Sequence, residues 1–431
     1  MRITDLAKKT FTESTRATLF YCLTLLSIAF FLFSGEVSRN AYYLLTYLAI
    51  ATTGWLIWRD KKVFFYWIPV LLLLLGLSKW LWATLTTNHD LPLIAEHYRV
   101  SGKRMILGAF VLYSIHRLSP RWRFPPRLIQ AGTVLLCVML IAATVVGIHD
   151  VITTGERPKI NSDAATSGAY MFTLLALVTL WSIRKAFPRH YPVPFFLILI
   201  VSFILLGVSE TRSAILLFSL FCLAAMIHHI VVSPWRSRVI WLSLFAALLL
   251  VGMFSAAKYS DRLFDRVETV QTEIEQYQQG DTSTSIGGRV GMWQAGLWAF
   301  MQHPWGQSAD MRNQEAKHWL DRHQPANNIA YLNIQYHTHN DIVESLSLQG
   351  IMGGFVMIAF FTALLLVPLS GKKRHYECLL LAIPVIYFSM GDSQFYNRES
   401  PYFILLIWGY FVMMRHTSDS LITNAANTFH D

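Results

Sequence analysis

The sequence predicts an all-α, polytopic membrane protein of about 12 transmembrane helices. One large helical loop is expected on the outer face between helices nine and ten. Three observations predict this. The 431 residues are 54% hydrophobic and only 14% charged, with a mean hydropathy of +0.40; a soluble domain carries about 25% charged residues. Apolar runs near the roughly 20 residues that a spanning helix needs recur along the chain. Lysines and arginines alternate between the connecting segments in the manner that sets membrane orientation.

In order, the expected spans are 17–34, 41–58, 63–85, 101–117, 128–149, 165–187, 193–210, 212–232, 239–257, 345–369, 376–391 and 401–415. With the N-terminus inside, the inner segments hold Arg2, Lys8, Lys9 and Arg16; Arg59, Lys61 and Lys62; Arg117, Arg121, Arg123 and Arg127; Arg184, Lys185 and Arg189; Arg236 and Arg238; Lys372, Lys373 and Arg374; and Arg415. The short outer segments hold fewer, among them Arg39, Arg157, Arg212 and Arg398. An even number of spans puts both termini inside. The basic start resembles a signal peptide, but Phe31-Leu32-Phe33 stands where a small-residue cleavage site would be, so a retained first helix is expected. Three parts follow: helices one to nine in 1–257, the outer loop in 258–344, and helices ten to twelve with an inner tail in 345–431.

The loop reads as structured. Leu263, Val267, Val270, Ile274 and Tyr277 recur at helical spacing, which predicts an amphipathic helix over 260–279. Gly287-Gly288 precedes a second helical stretch, which His303-Pro304 stops. A third runs near 311–323. Trp293, Trp298, Trp305 and Trp319 suit either a membrane interface or a small core of the loop's own.

Net charge is +10, from 36 basic and 26 acidic residues. In a membrane protein that excess marks inner loops, and nucleic-acid binding is not expected. No Gly-rich phosphate loop of the Walker type occurs, so ATP use has no support. Cys22, Cys137, Cys222 and Cys378 all fall in apolar runs and form no CxxC pair; they read as lipid- or core-facing thiols.

The polar segment ends in Tyr336-His337-Thr338-His339-Asn340-Asp341, directly before an apolar run. Asp341 and Glu344 fit a capping pair. His339 would then stand at the water–lipid boundary, either as a base of near-neutral pKa or as a solvated residue beside a cap. His337, His339 and Asp341 form an H-x-H-x-D string, but no further outer cluster completes a metal site, and none is expected. Arg212 lies in the short outer turn Ser209-Glu210-Thr211-Arg212-Ser213, as an anion clamp or as a snorkelling side chain. Arg289 follows Gly287-Gly288, where free amides, a helix dipole and a guanidinium together would cradle a pyrophosphate. Asp392 closes helix eleven, either to orient His339 or as an ordinary loop acid. Lys103 and Arg104 stand at the start of helix four, to snorkel or to hold anionic headgroups. Asn340 completes the supporting set.

On these residues the chain resembles the O-antigen ligases. That family carries a His-Asn pair, nine residues, Gly, two residues and a small residue, matched by His339-Asn340, Gly350 and Gly353. Its mid-chain Thr-Arg is matched by Thr211-Arg212, and its Arg ahead of a Trp-containing helix by Arg289 before Trp293. Related O-antigen polymerases and protein oligosaccharyltransferases share much of this loop. The resemblance implies an inverting glycosyltransferase of the bacterial inner membrane, with a periplasmic site and no metal or ATP. It implies undecaprenyl-pyrophosphate-linked O-antigen as donor and lipid A–core as acceptor. His339 would be the base, with Arg212 and Arg289 on the pyrophosphate and Asp392, His337 and Asn340 in support. The competing readings are a polymerase, with a second lipid-linked repeat as acceptor, and a lipid-linked glycan transporter.

Overall fold

The structure is a computed structural model. It describes residues 3–232, 271–279, 281–370 and 374–415, apart from 163, 189 and 190, with scattered positions between 235 and 246. Its elements among the described residues are all helical. The first eight are α1 (Ile3–Phe30), α2 (Gly35–Asp60), α3 (Trp67–Leu85), α4 (Pro92–Leu118), α5 (Pro126–Thr154), α6 (Ala165–Ala186), α7 (Pro192–Ser209) and α8 (Arg212–Val232). The polar segment holds α9 (Ser285–Gln302), α10 (Ala309–His323) and α11 (Asn328–Asn333). The chain then runs through α12 (Asp341–Leu366), α13 (Leu379–Gly391) and α14 (Ser400–Met414).

Every expected span but one coincides with a helix. The exception, 239–257, lies mostly outside the described residues, as does most of the expected amphipathic helix over 260–279; its last part, 271–278, is helical. Among the described residues, five helices are long and apolar enough to cross a membrane: α3, α5, α6, α7 and α12 extended to Leu369. Shorter apolar helices include α13 and α14. The protein is therefore a polytopic membrane protein.

Burial separates inner posts from outer ones. All 15 residues of α14 are buried. In α6, 89% of the apolar window is buried, against 39–50% in the other four long spans. The outer helices turn apolar side chains such as Val134, Leu197 and Phe355 away from the bundle. Small residues let α3 and α4 approach closely: a Cβ on Gly76 would meet the Gly102 carbonyl at 2.8 Å, and the reverse holds for Gly102.

Three helix starts depart from expectation. α4 begins at Pro92, so Lys103 and Arg104 lie in its middle. Arg104 neither snorkels nor waits for a headgroup: it is buried, donates to the Arg398 carbonyl and pairs with Glu399 at 3.1 Å. α12 begins at Asp341, and its cap is Asn340, not the Asp341–Glu344 pair. The Asn340 side chain accepts from Ile342 N at 3.0 Å and Val343 N at 3.2 Å. Both carboxylates are drawn inward instead, Asp341 to Phe395 N at 3.0 Å and Glu344 to Arg312 at 3.1 Å. At the start of α9, the glycine amides are not free: Gly287 N donates to Thr284 Oγ1 and Gly288 N to the Thr284 carbonyl. Gly287 and Gly288 allow close packing on Thr282 and Ile329.

α12 is also broken. Gly350 has φ +69°, in the left-handed region. The loop 303–307 fills the gap: Ile351 N donates to the Pro304 carbonyl, and Gln307 N to the Leu348 carbonyl, both at 2.9 Å. A Cβ on Gly350 would stand 2.4 Å from the Pro304 carbonyl, so only glycine fits. The polar segment has its own small core around Met292, Ala316, Leu320 and Ile334, on which Trp319 packs; Trp305, beside the break, is exposed.

Candidate active site

The site is a corner between two helix ends. The strap 334–340 leaves α11 and enters α12, and it carries both histidines. His339 has φ +54°, an uncommon backbone for a residue with a Cβ. Ties on either side hold it there. Thr338 N donates to Glu344 Oε2 at 2.8 Å, Thr338 Oγ1 donates to the Asn340 carbonyl at 3.1 Å, and His339 N donates to His337 Nδ1 at 3.2 Å.

Asp392 arrives from the end of α13, 53 positions along the chain, and meets His339 Nδ1 at 3.2 Å. The same carboxylate accepts from Ser393 N at 2.9 Å and from Thr166 Oγ1 at 3.4 Å. A carboxylate only accepts, so the shared proton belongs to Nδ1, and Nε2 of the neutral ring keeps the open lone pair. Burial alone would raise the Asp392 carboxyl. The His339 hydrogen bond and the two histidine charges outweigh it and hold it at about 2. His337 is pushed down to about 4, first by burial and then by the charge of His339. It is therefore neutral near pH 7.

Three donors from His337, His339 and Asp392 lie within 4.8 Å of one another, a spacing that a metal ion could bridge. The H-x-H-x-D string does not form this group: Asp341 turns to Phe395, and Asp392 takes the third place. Both Nδ1 atoms already have hydrogen-bonding partners here. A resident metal would use His337 Nε2, which lies 3.9 Å from the Asp392 carboxylate, and would displace the proton that His339 shares with Asp392 or take the other ring nitrogen.

Arg212 is the first residue of α8 and is exposed. Its turn is buttressed by Arg157, which donates to the Ser209 carbonyl at 2.7 Å and to Thr211 Oγ1 at 2.9 Å. Arg289, in the second turn of α9, is exposed as well. Tyr170 of α6 joins the Arg212 turn to the corner: its hydroxyl lies 3.0 Å from Ser213 Oγ, next to Arg212, and its ring stacks on Phe388 of α13 with centroids 4.1 Å apart. The start of α6 thus walls the corner through Thr166 and Tyr170, with Ser167 bound by Asn397 at 3.3 Å. Sequence reasoning missed this wall, along with Arg157, Arg312 and Glu344's tie to the strap. The one available signal was polar Thr166-Ser167 at the outer start of an apolar helix.

Fold and site define a class: a multi-pass helical membrane protein whose polar site is assembled from helix ends. Comparison with known proteins gives a family. The family model described as O-Antigen ligase matches residues 195–358, a span that contains Arg212, Arg289, His337, His339 and Asn340. An O-antigen ligase of Escherichia coli (strain K12) is 23% identical over 345 residues, covering 78% of each chain. Together these matches support membership of the O-antigen ligase superfamily and a glycan-transfer activity of the ligase or polymerase type.

Proposed function

We propose that the protein is an O-antigen ligase of the bacterial inner membrane, with both termini cytoplasmic and the His339 corner facing the periplasm. It moves O-antigen polysaccharide from undecaprenyl pyrophosphate to the terminal core sugar of lipid A–core. The observation that carries this reading is the His339–Asp392 contact at 3.2 Å, which leaves Nε2 as the open base at the mouth of the corner.

The step is a single displacement. Nε2 of His339 takes the proton of the acceptor hydroxyl, and that oxygen bonds to the anomeric carbon. The carbon–oxygen bond to pyrophosphate breaks from the opposite face, so configuration inverts. The leaving pyrophosphate takes the electron pair and is held by Arg212 and Arg289, whose exposed guanidiniums can each present a bidentate fork. Asp392 holds the imidazole tautomer and supports the imidazolium as it forms. His337 and Asn340 shape the strap. No metal takes part in this scheme.

A positioned base contributes about 10² to 10⁴ in rate. Purified protein in detergent, given lipid-linked donor and core acceptor, should therefore lose about that much transfer on His339→Ala, with and without a chelator in the wild-type control making no difference. Wild-type transfer by His339→Ala would remove His339 from the chemistry. Loss of wild-type transfer with chelator would reassign His337, His339 and Asp392 to a metal.

A further inference from the structure

The buried pair Arg312–Glu344 touches neither imidazole, yet it reaches the backbone between them. We infer that Glu344, held by Arg312, is a positioning residue for His339: its carboxylate fixes Thr338 so that the His339 ring stays on Asp392. The inference rests on reading His339 as the base.

The geometry is specific. Arg312 on α10 is fully buried and Glu344 on α12 is 1% exposed, with Nη1 to Oε2 at 3.1 Å. The same Oε2 receives the Thr338 N–H at 2.8 Å. Thr338 is itself fully buried, and the next residue holds φ +54°. A left-handed residue in a seven-residue strap needs its neighbours fixed, because relaxation to an ordinary φ would swing the imidazole away from Asp392. Lys79 of α3 is also fully buried, with Nζ 4.0 Å over the Tyr98 ring. Glu344 thus fixes Thr338 and Thr338 fixes the base, while Arg312 compensates the buried charge of the Glu344 carboxylate. A pair that merely joined α10 to α12 would have no need of the Thr338 bond.

Two double variants separate these roles. R312M/E344Q removes both charges but keeps an oxygen for the Thr338 N–H. R312M/E344M removes the oxygen too. Replacing a buried ion pair as a unit is often tolerated, so the Met/Gln protein should transfer within about threefold of wild type. The Met/Met protein should lose about 10²-fold in kcat, since small misplacements of a reacting group are that damaging, while the donor KM stays put. The Met/Met protein leaves the Thr338 N–H buried without an acceptor and should melt below the Met/Gln protein, so both are assayed well below their midpoints. If the Met/Met protein does not insert, an amide-to-ester change at 338 deletes the same N–H with all side chains intact and should lower kcat about tenfold or more. Equal kcat in the two pairs, or an ester protein at wild-type kcat, overturns the inference. His339→Ala is run alongside. Its inactivity with equal kcat in the pairs sinks this inference alone; its activity sinks the reading of the site, and this inference with it.

Discussion

The corner around His339 and the rim around Arg212 and Arg289 are built in opposite ways. In the corner the strap and the Asp392 carboxylate are tied. Asp392 accepts from three donors, Thr338 is held at its backbone and its hydroxyl, and Asn340 caps α12. On the rim both guanidiniums are exposed, and their support is indirect, through Arg157 under the Arg212 turn and Thr284 capping α9. The contrast is the one that the proposed roles require. A base must be aimed before the substrate arrives, since orientation is where much of its rate comes from. A clamp for pyrophosphate must keep its donors open, because a guanidinium already paired with a carboxylate has nothing left to offer an incoming anion.

The comparison predicts different kinetic signatures for the two regions. Arg289→Lys keeps the charge but loses the fork. One charge-assisted bond is worth about 1.5–3 kcal/mol, so transfer at low donor should fall by about 10- to 10²-fold, seen mainly in the donor KM. Asp392→Asn should act on kcat instead, by about tenfold or somewhat more, as partners that orient a functional imidazole commonly do. Steady-state kinetics on both variants would break the comparison if the effects were exchanged, with Arg289 in kcat alone and Asp392 in donor KM alone.

A separate expected effect is on stability and leaves the chemistry aside. His337 falls from 6.5 to about 4 on folding. The unfolded chain then binds more protons between those values, so stability rises with pH across that window and is lost as pH falls from 6.5 towards 4. The full shift corresponds to about 3 kcal/mol. Replacing His337 by Phe should flatten the thermal midpoint between pH 6.5 and 4, whereas an unchanged slope would place the titrating group elsewhere. Above pH 6.5 His337 is neutral in either state, so the transfer profile there should not report it.

The helices were legible in the sequence because apolar length decides them, and the spans in the described residues fall where hydropathy put them. Local chemistry was harder. Asn340 and Asp341 are both good caps by type, and only the Phe395 amide, which draws Asp341 inward, decides between them. The spacing before Gly350 was visible as a motif, but the break itself needs the loop 303–307 to fill the gap, a tertiary fact. Likewise the histidines stand together in the chain, while Asp392 and Thr166 reach them only through packing of α13 and α6. Glycines 287 and 288 misled for the same reason: their amides were read as open, and Thr284 occupies them.

The central claim is that His339 is the base of ligation. A lipopolysaccharide gel from a strain whose only copy carries His339→Ala, with protein level checked and the lipid-linked pool probed for O-antigen, tests it most directly. The account predicts core without attached repeats while polymer accumulates on the undecaprenyl carrier. Core bearing a single repeat would make the protein a polymerase, and an unchanged ladder would contradict the account outright.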